Sequence, residues 1–290
     1  MFIQQLMNGL VLGSTYALIA LGYTMVYGII ELINFAHGEI YMFGAFAGLI
    51  LVTVLKVPFF LAFFLAMALA SLLGITVEYL AYRPLRRSTR LAALISAIGA
   101  SIFLQNLALW RMGAQPYTFP SPFEPKVYQT AFFTISRVEI IILLFSFLLM
   151  IGLSLFIQKT KIGKAMRATA QDKDTASLMG ININKIITIT FAIGSALGAA
   201  AGVMVGIYFR TVTPSMGLMP GLKGFVAAVL GGIGNIPGAM MGGILLGITE
   251  VMGAAYISSQ YRDAVAFALL IMVLLLKPTG LLGRPTQEKV

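Results

Sequence analysis

Polar residues interrupt the apolar chain at two places where their types could do chemistry. The first is Glu31-Leu-Ile-Asn34-Phe-Ala-His37-Gly38-Glu39, set between two apolar stretches. The second is Gly231-Gly232-Ile233-Gly234-Asn235-Ile236-Pro237-Gly238, inside a later apolar run. A carboxylate at the centre of a bilayer costs about 2.5–3.5 kcal/mol on insertion scales, so Glu39 and its neighbours need partners or a function. A glycine-rich break ending in proline frees backbone N–H groups and starts a new helix, whose N-terminus favours an anion such as a carboxylate. Broken helices in membrane carriers bind solutes in this way. Asn34, His37, Glu39, Gly234, Asn235 and Pro237 are therefore the candidate residues for holding a polar solute. Each break also has a plainer reading. Residues 31–39 would form a turn between two ordinary helices. Gly224, Gly231, Gly238, Gly242 and Gly247 would let helices approach closely, although packing accounts less well for Asn235-Ile236-Pro237.

Catalysis fails on inventory. There is no Gly-x-x-x-x-Gly-Lys-Ser/Thr loop for ATP, no Gly-x-Ser-x-Gly elbow and no His-Glu-x-x-His pair. The chain has no cysteine and one histidine, which excludes thiol nucleophiles, disulfides and multi-histidine metal sites.

The elements that must position these residues follow from composition. Of 290 residues, 59% are hydrophobic and 10% charged, against roughly 25% charged in an average soluble protein. Too few charges remain to cover a soluble surface of this size. Helices of about 20 apolar residues cross a bilayer, and the charge-free runs give an all-α, polytopic membrane protein with about eight transmembrane helices, some broken or re-entrant. Residues 1–290 read as one transmembrane domain. Met1 to Ile30 reads as a short interfacial segment followed by a retained span, without the basic n-region of a signal peptide.

Basic residues set the orientation. Arg83, Arg86, Arg87 and Arg90 fill one short loop, and Lys159, Lys161, Lys164, Arg167, Lys173 and Lys185 fill another. Lys277, Arg284 and Lys289 close the chain. These regions are expected on the cytoplasmic side, so the net charge of +10 is an orientation signal and no nucleic acid is implied. The proline-rich stretch Gly113 to Ser136 is then an irregular external loop, the N-terminus is external and the C-terminus cytoplasmic. The same sidedness makes both 211–220 and 258–262 external, so the apolar run between them must enter and return, turning at Gly231 to Gly238. Glu78 is expected as an interfacial cap near Tyr82 and Arg83. Glu250 lies either deep in the membrane or near its external surface.

The loop at about 159–185 is too polar to span. Its Ala165, Ala168, Ala170, Ala176, Leu178 and Met179 favour a helix over Gly163 to Asn184, with Gly180 as a stop. It is either a solvated helix or a docking element for a cytoplasmic partner. The spacing Asp174-Thr175-Ala176-x-x-x-Gly180 is similar to the Glu-Ala-Ala-x-x-x-Gly loop of bacterial ABC-importer permeases.

Several stretches together resemble the permease subunit of the bacterial high-affinity branched-chain amino acid ABC transporter. They are Asn8-Gly9-Leu10 through Ala20-Leu21-Gly22, Ile33-Asn-Phe-Ala-His-Gly-Glu39, Gly180-Ile-Asn182, Ala227 to Ala239 with its Gly-Gly-Ile-Gly-Asn-Ile-Pro-Gly core, and Lys277-Pro-Thr-Gly-Leu-Leu-Gly-Arg284. The resemblance implies a multi-pass subunit of the bacterial inner membrane passing leucine, isoleucine and valine. It implies a heterodimer with a second homologous permease, two cytoplasmic ATPases that carry ATP and Mg, and a periplasmic binding protein. No cofactor is expected in this chain. Arg167, Asp174, Thr175, Ala176 and Gly180 would lie in the ATPase-coupling segment, which departs from Glu-Ala-Ala in side chain but keeps its spacing. Members of the same group carry urea, other amino acids or amides. A self-sufficient channel or secondary carrier is the competing class.

Overall fold

The first apolar run forms a single helix, α1 (Phe2–Ile30), in a computed structural model that describes residues 1–86 and 88–283. Arg87 and residues 284–290, which include Arg284 and Lys289, lie outside the described residues. The expected interfacial segment is not separate from α1, because helical hydrogen bonding starts at Phe2. The helix is apolar on all sides and buried along most of its length, as suits the middle of a bundle.

Around α1 stand α2 (His37–Thr53), α3 (Phe59–Val77), α4 (Arg90–Met112), α5 (Arg137–Lys159), α8 (Ile183–Phe209), α9 (Leu218–Gly231), α10 (Ile236–Tyr256) and α11 (Arg262–Leu276). Among the described residues, seven helices, some with their short extensions, are long and apolar enough to cross a membrane, while α2 and α9 are shorter. Helix α3 continues through a wider π-type turn, Glu78–Tyr82, and a 3-10 turn, Arg83–Leu85. Together with α6 (Lys161–Gln171) and α7 (Lys173–Leu178), that turn marks the basic end of the bundle. At the opposite end the expected irregular loop contains short strands. β2 (Val127–Gln129) pairs with β3 (Thr134–Ser136), and β1 (Tyr117–Thr118) pairs with β4 (Thr211–Val212). These ribbons satisfy backbone groups that an irregular loop would leave to water.

Close approach explains much of the glycine content. Gly9, Gly13 and Ala17 on α1 face Ile248, Gly247 and Gly243 on α10, backbone against backbone. A Cβ at Gly247 would sit 2.2 Å from Gly13 Cα, and no side chain can swing away to relieve it. Small residues at four-residue spacing are how helices pack without a hydrophobic drive between them. Gly247→Val should therefore lower stability in detergent by about 1–3 kcal/mol or more, read as a fall in the thermal midpoint; an unchanged midpoint would count against this packing.

The run on either side of Gly231 to Gly238 enters and returns, as the loop charges require. Helix α9 begins partway through the bundle and descends to the basic end, and α10 climbs back beside α1. The expected continuous helix at 163–184 is instead two helices. Asp172 breaks it, because its carboxylate accepts from Thr175 N–H at 2.9 Å and so caps α7.

Candidate functional site

The polar segment 31–36 leaves α1 in a left-handed turn at Glu31 and folds back into the bundle. His37, the first residue of α2, lies level with Gly22 of α1 and Gly198 of α8. Gly22 is eight residues from the end of α1, so α2 starts about 12 Å inside the basic end. This is the buried-break reading and not the surface turn. Backbone is tolerated at such depth only where protein or water covers it. The His37 ring occupies the space that side chains at Gly22 and Gly198 would fill, and it meets Tyr23 edge-on at 4.7 Å. Its role in this geometry is a wedge between three helices.

Asn34 is buried under Tyr82, whose hydroxyl donates to Asn34 Oδ1 at 3.1 Å and to the Ile33 carbonyl at 3.2 Å. Neither interaction was foreseen from sequence, because Tyr82 reaches the segment from α3's extension. Glu39, two residues into α2, lines a cavity of about 180 Å³ with Tyr23, Ser101, Gln105, Gly217 and Leu218. Ser101 Oγ donates to Glu39 Oε1 at 3.4 Å, while Oε2 has no hydrogen-bond partner. Ser101 and Gln105 escaped the sequence reading, although polar residues four apart within a span are a usable sign of one non-lipid face.

The second break lies elsewhere. Gly234 approaches Gly28, near the basic end of α1. Asn235 Oδ1 caps α10 by accepting from Gly238 N–H at 3.3 Å, and its Nδ2 donates to the Leu282 carbonyl at 2.6 Å. Leu281 and Leu282 N–H groups donate to the Leu230 and Gly231 carbonyls. The segment after α11 thus stitches the turn shut. Gly234, Asn235 and Pro237 border a cavity of about 500 Å³ with Ser154, Gln158 and Arg167. The structure therefore does not bring the two breaks together: Asn34, His37 and Glu39 form one group, and Gly234, Asn235 and Pro237 belong with the basic end.

Arg167 donates to the Ile157 and Gln158 carbonyls at 3.0 and 3.3 Å, capping the end of α5. Farther along, Asp174 and Thr175 face outward while Ala176 packs inward. Gly180 has φ +82°, the left-handed conformation that ends α7, with open space around it. Leu178 and Met179 are 88% and 79% exposed, an apolar tip on a polar loop.

Two charge clusters complete the electrostatics. Glu78 is fully buried but pairs with Arg86, not Arg83, and accepts from Thr188 Oγ1 at 2.8 Å. Arg83 instead lies over the Tyr79 ring. Arg86 also donates to Asn184, tying the basic loop to the start of α8. Burial lowers the pKa of the Arg86 guanidinium and the adjacent Glu78 opposes that shift. Glu250, at 0% exposure, is enclosed by the bundle six residues before the end of α10. It accepts from Lys223 Nζ at 2.9 Å and Tyr16 hydroxyl at 3.2 Å, and pairs with Arg262. Lys223 also meets Asp263 at 2.6 Å. This cluster joins α1, α9, α10 and α11, and Lys223 had no place in the sequence reading.

Against known proteins, residues 5–274 match the family model for the permease component of the branched-chain amino acid transport system. The chain is 49% identical to the high-affinity branched-chain amino acid transport system permease protein LivH of Escherichia coli K12, over 100% of this chain and 98% of the relative. It is 50% identical to the corresponding permease protein BraD of Pseudomonas aeruginosa, with the same coverage. Among solved structures, PsaBC from Streptococcus pneumoniae in complex with Fab matches with a TM-score of 0.50 at 12% identity, covering 94% of this chain and 91% of that one. At that identity the likeness concerns the fold alone.

Proposed function

The chain belongs to the branched-chain amino acid transport system permease family, and from that premise we propose that it is the non-catalytic permease subunit of an ABC importer for leucine, isoleucine and valine. Similarity along the full chain to permeases of that transport system is the observation that carries the reading. Separate cytoplasmic ATPases would hold ATP and Mg, a second homologous permease would complete the passage, and a periplasmic binding protein would deliver the solute. The excess of basic residues at one end of the bundle supports a bacterial inner-membrane orientation with that end cytoplasmic and the N-terminus external.

In this reading Asn34, His37 and Glu39 shape the passage where α2 starts inside the bundle. Tyr82 fixes Asn34, and His37 sets the spacing of α1, α2 and α8. Gly234, Asn235 and Pro237 form the turn by which the α9–α10 hairpin meets the coupling region. Asp174, Thr175, Ala176 and Gly180 present α7 to the ATPase, while Arg167 anchors α6 against α5. Each inward and outward state must hold the solute with different affinity, because equal affinity would drive no cycle.

Reconstitution tests the whole proposal. Liposomes holding this permease, its partner permease and the ATPases should accumulate leucine when ATP and binding protein are supplied, and liposomes holding this chain alone should not. Leucine uptake by the chain alone would overturn the importer reading in favour of a self-sufficient carrier. Failure of the full assembly to carry any branched-chain amino acid, while carrying urea or another solute, would overturn the substrate.

A further inference from the structure

We propose that Glu39 receives the ammonium group of the amino acid zwitterion in the cavity between the first turns of α2 and α9. The inference rests on the amino acid reading above and names the contact that reading leaves open. Glu39 is 2% exposed and borders the cavity, yet its Oε2 has no hydrogen-bond partner. No ion pair engages it among the described residues. The nearby cation Lys223 is committed to Glu250 and Asp263, and His37 on the same turn is wedged against Gly22 and Gly198 and does not line the cavity. A buried carboxylate with one idle oxygen is costly unless a charged partner arrives.

Depth places this carboxylate on a crossing path. Ser101, its neighbour, is the middle residue of α4, about 16 Å from either end of that helix. Two helices of 17 and 14 residues start at the cavity rather than at a membrane surface. Gly217, which precedes α9, approaches Gly38 so closely that a Cβ there would sit 2.4 Å from the Gly38 carbonyl and 3.0 Å from Glu39 Oε2. Each helix start carries about half a positive charge, so two of them balance one Glu39 carboxylate. The cavity is then close to neutral overall but strongly divided, which is the complement of a zwitterion. The ammonium donates to Glu39 Oε2, and the solute carboxylate accepts from the N–H groups of Leu218 and Met219, which start α9 and have no acceptor within their own helix. Pro220 has no N–H, and Gly221 N–H already donates to the Gly217 carbonyl at 2.9 Å. Ile98, Ile102 and Leu222 supply the apolar wall for a branched side chain. At about 180 Å³ the space lies below the roughly 300–1,000 Å³ of drug-sized pockets and admits only a small solute.

The test uses a diazirine analogue of leucine as a photoprobe on the assembled permease–ATPase complex in nanodiscs, without binding protein. Wild-type complex should be labelled within residues 98–105 or 217–222. Leucine should compete with that labelling, and 4-methylpentanoate, which is leucine without its ammonium group, should not. Glu39→Gln should reduce labelling in nanodiscs and ATP-driven leucine uptake in liposomes supplied with binding protein, each at least tenfold, while still copurifying with the ATPases, and Glu39→Asp should recover part of each. Equal competition by 4-methylpentanoate, label confined to other segments, or wild-type uptake by Glu39→Gln would overturn the ammonium site. The competition measurement needs no variant, so it decides the matter even if Glu39→Gln fails to assemble. Absence of leucine uptake by the wild-type liposomes would instead sink the amino acid reading on which the site rests.

Discussion

Lys223→Ala should destabilise the protein by about 3–5 kcal/mol, the cost of breaking one partner out of a buried ion pair. Glu250 is fully buried and receives Lys223, Tyr16 and Arg262 on one oxygen. Removing the lysine takes away a cation and exposes Asp263 to the loss of its own contact at 2.6 Å. The cluster as a whole carries two cations, Lys223 and Arg262, and two anions, Glu250 and Asp263. Deleting Lys223 leaves Glu250, which has no access to water, with Arg262 as its one remaining cation, while the half-exposed Asp263 turns to solvent. The double replacement Lys223→Met with Glu250→Leu restores neutrality and leaves Arg262 with Asp263. It should therefore cost less than the sum of the two single changes, with a coupling of about 0.5–3 kcal/mol in a double-mutant cycle. Equilibrium unfolding in mixed micelles measures all four proteins. A single variant within 1 kcal/mol of wild type, or strict additivity in the cycle, would show that the pair does not hold α9 in place.

This pair also shows where sequence reading stopped. Lys223 and Glu250 bound the charge-free stretch 224–249, and charges at both ends of an apolar run ordinarily mark two membrane surfaces. The loop charges argued that this run must return, and the glycines at 231–238 gave the turning point. What was missing was the consequence: a run folded into a hairpin brings its two bounding charges together. That step depends on α9 starting inside the bundle, which in turn depends on Gly217 meeting Gly38 across nearly 180 residues of chain. Periodicity within one helix carries no trace of such a contact. The same holds for Tyr82 on Asn34 and Ser101 on Glu39, each from a helix distant in sequence.

Local signals did better. The first helix ends at Ile30, Gly180 stops the helix before it, and the polar 31–39 segment was visible as a break because its residues are wrong for lipid. The depth of that break was not decidable from composition, since a turn at the surface and a turn inside the bundle need the same polar side chains. His37 resolves it. A ring fitted between Gly22 and Gly198 fixes α2 against the middle portions of two long helices. The second break looked alike in sequence but ended at the basic end, where Asn235 and the 281–282 backbone close it. Similar glycine-rich punctuation thus serves two different purposes, and only the packing partner distinguishes them.

Paired replacement of the apolar tip, Leu178→Asp with Met179→Asp, should abolish transport while leaving the permease folded. The two side chains are 88% and 79% exposed at the basic end, where charged residues rather than lipid-facing ones predominate. Among the described residues nothing packs over them that would require them to be apolar. The helix that carries them is held by other groups: Ala176 packs inward, Asp172 caps the start, and Ile181 N–H donates to the Ala176 carbonyl at 3.1 Å to close the end. Two apolar side chains that anchor a partner contribute about 2 kcal/mol or more apiece at a typical hot spot, so replacing both by carboxylates should weaken ATPase capture at least tenfold, the change expected from about 1.4 kcal/mol. Copurification with the ATPases and ATP-driven leucine uptake should both fall, and the thermal midpoint of the isolated permease should stay within a few degrees of wild type. Gly180→Glu, two residues on, should act in the same direction through a different cause, because φ +82° disfavours any side chain there and misdirects the tip. If the doubly charged tip captured the ATPases normally, the coupling contact would have to lie elsewhere on the loop, and α7 would be only a solvated turn.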